Sequence, residues 1–404
     1  MRYLLLFVSA LVFAAPPIGD ANKAGMDPGR LANIAARMKA YTERGELAGV
    51  VTLVSRHGVL ASVDASGWAD VEQKKAMKTD SIFQIMSMTK PVCAVAIMML
   101  VDEGKLALTD SVERHLPEFR GQMVVASREG SNLTLRKPAR PITVRDLMTH
   151  TSGLPSGPPA SLAELNQKLH VTLAEAVHVF SQMPLDFEPG SQWRYSNAGI
   201  AVLGRLVEVA SGTTFEKFLD ARIFQPLGMK DSFIFPPADK LDRMVTVHQA
   251  KEGKLAAAPD SILGGDSRKH RRGAVYSAPE FGLHSTAADL AAFYNMVRTG
   301  GMHSGKRLLS AAAMKTMTSL HTGDLKAGHL PGTGFGLAWE VTKEPLGMLS
   351  LMSIGSFGHG GAFGTHGWVD PQKDLVGVFL IQHTGYAGNA KAVFMAMAAA
   401  AIGE

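Results

Sequence analysis

Leu31, Ile34, Met38 and Tyr41 recur at helical spacing behind Asp27-Pro28, which supply a cap and a first-turn proline, so the pattern predicts an amphipathic helix. The period then changes. Gly49 to Ser55 (GVVTLVS) reads as a strand, Arg56-His57-Gly58 as a turn and Val59 to Ala65 as its partner, an antiparallel hairpin. Asp80 to Ile85 leads into a mostly apolar run, Val92, Val95, Ala96, Met98, Met99 and Leu100, which stops at Gly104 and predicts a buried helix. From about Thr109 the character shifts: Leu116 to Phe119 and Arg136 to Pro138 read as loops, and Gly153 to Pro159 is loop by its glycines and prolines. Helices are predicted over Thr143–Thr149, Leu162–Leu169, Leu173–Ser181 and Ala198–Ser211, with few strands between residues 120 and 280. Ser285 to Thr299 reads as a helix capped by Ser285 or Thr286. Gly334–Val341, Gly361–Val369 and Leu375–Gln382 read as strands of a final antiparallel sheet, and Asn389–Ile402 as an apolar closing helix. The expectation is an α+β protein, an α/β lobe (about 25–120 and 280–404) carrying an inserted all-helical lobe (about 121–279).

Composition narrows this. The chain has 404 residues, 46% hydrophobic and 19% charged, which describes a globular protein with a sizeable core and excludes disorder. The net charge of +5 is spread out, and its densest run, Arg268-Lys269-His270-Arg271-Arg272, has no interleaved aromatics; it reads as a solvated loop and gives no footprint for nucleic acid. The 21 methionines are scattered and read as core filling. Residues 1–15, MRYLLLFVSALVFAA, place one basic residue ahead of an apolar run ending in small residues, the pattern of a secretory signal too short to span a bilayer. A signal peptide over about 1–20, a mature domain over 21–404, a secreted or periplasmic location and no stable membrane anchor are therefore expected. Cys93, the single cysteine, permits no intrachain disulfide and reads as a small core residue.

The candidate chemistry begins at Ser87-Met88-Thr89-Lys90-Pro91. Residues i and i+3 share a helix face, so Lys90 can reach the Ser87 hydroxyl, which needs a neighbouring base to become a nucleophile. Pro91 marks the helix entrance. There, free N–H groups and the positive dipole end favour an oxyanion. This is the only S-x-x-K in the chain. Two further motifs join it. Tyr195-Ser196-Asn197 precedes an apolar helix and offers a phenol and an amide on one side of a loop, to handle a proton and orient a carbonyl or the lysine. Gly358-His359-Gly360-Gly361-Ala362-Phe363-Gly364 lies immediately ahead of a predicted strand, where glycines let backbone approach a ligand.

Ser87…Lys90, Tyr195…Asn197 and His359-Gly360-Gly361, in this order, resemble the penicillin-recognising serine hydrolases: class C β-lactamases, D,D-peptidases and the family VIII carboxylesterases that share their fold. Leu147 to Leu154 (LMTHTSGL) and Gly282 to Asp289 (GLHSTAAD) also look like landmarks of that family, so the resemblance spans nearly the whole mature chain. It implies a β-lactamase/transpeptidase-like fold with the site between the two lobes. It implies Ser87 as nucleophile, Lys90 lowering its proton affinity, Tyr195 shuttling the proton to the leaving group, Asn197 positioning Lys90 and the substrate, and the N–H groups of Ser87 and Ala362 as oxyanion hole. A free lysine ionises near about pH 10.4, so a neutral Lys90 requires a strong depression; a tyrosinate beside a charged Lys90 is the other assignment, and both stay open here. His150 and His284 fall within the landmarks and read as structural.

The sequence departs from the lactam-directed members at the third motif. They carry lysine or histidine, then threonine or serine, then glycine; here the middle position is Gly360, and His359 is at most a weak, pH-dependent cation. The hydroxyl that would hold a penicillin or peptide carboxylate is missing. Together with the absence of a G-x-S-x-G elbow, this points to a carboxylesterase acting on small neutral esters through an acyl-enzyme, with no metal or cofactor. The rivals are a β-lactamase or D,D-peptidase, and a penicillin- or cell-wall-peptide-binding protein without turnover. Oligomeric state is not legible.

Overall fold

In the computed structural model, residues 19–130, 132–158, 170–259 and 268–403 are described. The expected export segment and the helix predicted over Leu162–Leu169 lie outside them. Asp27 caps helix α1 (Pro28–Glu43), accepting from the Arg30 amide, and Leu31, Ile34, Met38 and Tyr41 are its buried stripe. The hairpin follows as β1 (Gly49–Arg56) and β2 (Val59–Asp70). Five of the remaining strands come from the far end of the chain: β4 (Thr333–Phe335), β5 (Glu340–Thr342), β6 (Phe357–Gly360), β7 (His366–Asp370) and β8 (Leu375–Leu380); β3 (Lys75–Ala76) is a short edge. They form one antiparallel sheet in the order β4-β5-β6-β7-β8-β1-β2-β3. Its centre joins the first strand to the last, with Val51 opposite Leu380 and Arg56 opposite Leu375.

Both faces of this sheet are covered. Val50 and Val54 of β1 point into a layer with α1 and the closing helix α6 (Ala390–Ala400), while Val51 and Leu53 point the other way, into the main core. That core holds α2 (Thr89–Asp102), on which every residue from Thr89 to Leu100 is buried. Such a helix has no solvent face, which is why its sequence is apolar all round. It packs against α4 (Asn197–Ser211), and α3 (Leu173–Ser181) packs on α4 in turn; α5 (Ala287–Arg298), capped by Thr286, lies on β1, β7 and β8.

Four expectations need correction. Residues 121–279 are not all-helical: they carry the hairpins Val124–Glu129/Asn132–Arg136 and His248–Lys251/Lys254–Ala257. The strand Asn132–Arg136 is exposed throughout, so no burial alternation marked it. The stretch Gly334–Val341 is two strands, because Gly336 to Trp339 turns to bond elsewhere: Leu337 N–H donates to the Met317 carbonyl and Ala338 N–H to that of Met148. The strand expected from Gly361 starts only at His366, and His359-Gly360 end the preceding strand β6. The basic run is only in part a solvated loop: Arg268, Lys269 and Arg272 are exposed, but His270 and Arg271 are each 5% exposed, both at positive φ in a tight turn, with Arg271 over the Phe281 ring and Arg268 ion-paired to Asp70 and Glu72.

Candidate active site

Ser87 stands in a single 3-10 turn, Met86–Met88, that leads directly into α2. The turn is held from within and from outside. Thr89 Oγ1 donates to the Met86 carbonyl at 2.6 Å and accepts from the Leu283 amide at 3.1 Å, and Ile85 N–H donates to the Leu283 carbonyl at 3.0 Å. One turn on, Lys90 is wholly buried, and its Nζ donates to Ser87 Oγ at 2.9 Å and to the Glu280 carbonyl at 2.7 Å. Burial disfavours an ammonium. It pushes Lys90 down to about 7, against the opposing pull of the Glu280 and Cys93 anionic forms.

Tyr195 reaches the same spot from the entrance of α4. Ser196 caps that helix by accepting from Gly199 N–H at 3.0 Å and anchors to the Pro155 carbonyl, and its own amide donates to His150 Nδ1 at 3.2 Å. The His150 ring, at φ 58° and 1% exposed, lies 4.5 Å from that of Tyr195 and braces it. Lys90 Nζ sits 4.7 Å from the centre of the Tyr195 ring. Burial raises the phenol above its ordinary value, hydrogen bonding with Ser87 opposing only in part, so Tyr195 holds its proton at neutral pH.

The third motif closes on the nucleophile through backbone. Gly361 N–H donates to the Thr365 carbonyl at 2.8 Å, Gly364 N–H to that of Gly361, and Thr365 Oγ1 donates to the Ile85 carbonyl at 3.0 Å. A Cβ on Gly361 would lie 2.3 Å from the Ile85 oxygen, so only glycine permits this approach. Ala362, the next residue, is exposed. His359 is 3% exposed; its Nδ1 pairs with the Gly360 carbonyl at 2.7 Å, and burial, with Lys90 and His329 nearby, holds it at about 3. It is a neutral ring at physiological pH, not the weak cation expected.

The structure thus gathers Ser87, Lys90, Tyr195 and the His359–Gly361 stretch from three distant segments, the His359 ring lying 6.1 Å from the Tyr195 ring and Gly361 against Ile85. Asn197 opens α4, its amide donating to the Ser156 carbonyl, but it makes no hydrogen bond to Lys90; the Glu280 carbonyl takes that place. His284 stays apart, stacked on Phe233 with His270 beyond. Sequence reasoning missed Glu280 and His329. The His329 ring stands edge-on to Tyr195 at 4.7 Å and near Trp193 and Phe335, forming an aromatic wall. Neither belongs to a motif. Cys93 is buried in α2, as a core residue. Among the described residues, no group of three or more His, Cys, Asp and Glu side chains is placed to hold a metal ion, and no helix is long and apolar enough to cross a membrane.

A family profile described as Beta-lactamase matches residues 34–402. The chain belongs to the beta-lactamase family. Esterase EstB of Burkholderia gladioli is similar over 380 residues at 30% identity, covering 88% of this chain and 92% of EstB. Penicillin-binding protein 4 of Amycolatopsis lactamdurans is 30% identical over 290 residues, 72% of this chain and 68% of that one. Among solved structures, EstCE1, a hydrolase with promiscuous acyltransferase activity, superposes with a TM-score of 0.78 at 25% identity, covering 93% of this chain and 99% of EstCE1. Like other members of the beta-lactamase family, this protein is a serine hydrolase with a β-lactamase/transpeptidase-like fold.

Proposed function

We propose that this serine hydrolase is a carboxylesterase that cleaves small, neutral, short-chain esters through an acyl-enzyme on Ser87. The observation that carries the reading is the 2.9 Å contact between the amine of a wholly buried lysine and the Ser87 hydroxyl. Lys90, held near neutrality by burial, takes the hydroxyl proton while Tyr195, held protonated, serves as donor; the directions of the two shifts favour the amine over a tyrosinate as base. Oγ bonds to the ester carbonyl carbon, and the carbonyl electron pair becomes an oxyanion facing the N–H groups of Ser87 and Ala362. Collapse breaks the ester C–O bond, and the departing alkoxide takes its proton from Tyr195, which regains one from the Lys90 ammonium. Water then attacks the acyl carbon, yields its proton to the same pair, and the carboxylic acid leaves as Oγ is reprotonated.

Esters are favoured over carboxylate-bearing lactams and peptides because the third motif contributes neither a hydroxyl nor a charge: residue 360 is glycine, and His359 is a buried neutral imidazole. The esterase name of EstB supports the same choice. The name of penicillin-binding protein 4 supports the rival reading, a β-lactamase or D,D-peptidase. The basic-then-apolar opening supports export of the mature chain.

The test pairs chemistry with mapping. A fluorophosphonate is expected to add its mass at Ser87 and abolish p-nitrophenyl butyrate hydrolysis, and Ser87→Ala to lose turnover with an unchanged melting temperature. Nitrocefin or D-Ala-D-Ala turnover exceeding ester turnover overturns the substrate reading. An active Ser87→Ala variant overturns the nucleophile.

A further inference from the structure

Around the carbonyl that accepts from the buried Lys90 amine lies a cluster that no motif marks. Residues 276–283 (YSAPEFGL) run against the nucleophile turn, bonded to it at Ile85 and Thr89 through Leu283. Within this segment Glu280 is 2% exposed. Its carbonyl accepts from Lys90 Nζ at 2.7 Å, and its Oε1 accepts from the Tyr276 hydroxyl at 2.8 Å. Arg271 closes the far side: it donates to the Tyr276 carbonyl, lies over the Phe281 ring, and sits so near Gly282 that a Cβ there would meet Nη1 at 2.1 Å. Glu280 Oε2 and Arg271 Nε and Nη1 are buried without a hydrogen-bond partner among the described residues. These charges therefore act on one another and on Lys90 across a medium that screens poorly.

We infer that Glu280 is a positioning residue for the base: its carbonyl fixes the Lys90 amine against Ser87, and its buried carboxyl is the counter-charge that sets the pH at which that amine gives up its proton. This rests on the proposed role of Lys90 and deepens it. Three observations support a function over mere packing. Main chain and side chain of one residue both act on the lysine's environment. The carboxyl is held by a dedicated phenol donor, and it sits in a region where an uncompensated charge is costly. The groups facing Lys90 are Glu280, Cys93 on its own helix, Tyr195, His150, His329 and His359; those facing Glu280 are Lys90, Arg271, Tyr276, Cys93 and Tyr195. The histidines are neutral and Cys93 is kept a thiol by burial; burial also raises the Glu280 carboxyl above its ordinary value, with the Tyr276 hydroxyl, Lys90 and Arg271 opposing, so its charge is at stake together with that of the lysine.

The sign follows. Removing the carboxylate leaves burial unopposed, so Lys90 releases its proton at lower pH. Glu280→Gln keeps the carbonyl, the shape and an acceptor for Tyr276, and deletes only the charge. The experiment measures the rate of fluorophosphonate labelling against pH in the full chain, with the adduct mapped by mass, for wild type, Glu280→Gln and Tyr276→Phe. For wild type, a rate rising through about pH 7 is expected. For Glu280→Gln the midpoint should fall by about one pH unit or more, the usual effect of an opposite charge at close range. Tyr276→Phe, which weakens the carboxylate without removing it, should shift the midpoint the same way by less; it reads the effect should Glu280→Gln fail to fold. Labelling at Ser87 with coincident midpoints in all folded proteins overturns the inference and leaves the hydrolase reading standing. No adduct on wild-type Ser87 overturns that reading and the inference with it.

Discussion

Replacing Gly361 with alanine is the most searching perturbation of the proposed oxyanion hole, because it touches neither the nucleophile nor the base. The added Cβ would lie 2.2 Å from Thr365 Oγ1 and 2.3 Å from the Ile85 carbonyl oxygen. Non-bonded heavy atoms settle near about 3.5 Å, so the glycine turn and the segment two residues before Ser87 must part by roughly 1 Å. The Thr365–Ile85 hydrogen bond cannot yield without moving the same backbone. A displacement of that size at a reacting centre costs about 10²-fold in rate, and loss of one oxyanion donor about 10²- to 10³-fold in kcat. Overpacking should also lower stability by about 1–3 kcal/mol. Gly360→Ala is the control: its Cβ would come no closer than 3.4 Å to His366 Nδ1 and 3.7 Å to the Thr365 carbonyl, ordinary contacts that leave the turn in place. The assay is kcat/KM for p-nitrophenyl butyrate beside a thermal melt at one pH. Gly361→Ala is expected to be at least about 10²-fold impaired, with Gly360→Ala close to wild type. Equal impairment of the two, or a Gly361→Ala enzyme that melts lower yet keeps its turnover, refutes the reasoning.

Three further outcomes follow from the site and the buried histidines. Lys90→Ala and Tyr195→Phe should each lower kcat/KM by a factor of about 10² or more, measured as initial rates with folding checked by circular dichroism. The kcat/KM of the wild-type enzyme should rise with pH through about 7 as Lys90 loses its proton; a profile flat on both sides of neutrality would contradict the assignment of the base. Burial holds His359 at about 3 and His248 and His270 at about 4. The unfolded chain therefore binds more protons than the native one between these values and about 6.5, and stability must fall as pH falls through that window. Urea midpoints at about pH 7 and about pH 4.5 check this, a constant midpoint being the adverse result.

What could be read without coordinates was local. The S-x-x-K pair, the cap and stripe of α1, the hairpin β1–β2 and the helices Leu173–Ser181 and Asn197–Ser211 depend on neighbours a few residues apart, and their spacing carries that information. The three-part site was legible only because its members fall in motifs whose order could be matched as a set. Glu280 was not, since a single carboxyl 190 residues from its lysine has no spacing to betray it. His329 escaped for the same reason. The basic run misled because five polar side chains in a row suggest water, whereas a turn at positive φ tucks Arg271 beneath Phe281. Strand Asn132–Arg136, exposed throughout, left no burial alternation for the eye to follow.

The pairing of β1 with β8 has a bearing on how the protein comes into being. Val51 finds its neighbour Leu380 only after more than three hundred intervening residues have been made, and contacts so remote along the chain are slow to form. A ribosome-bound fragment holds half of that seam and must keep its exposed valines from other edges meanwhile. Completion of the sheet is thus a late event in the making of the chain.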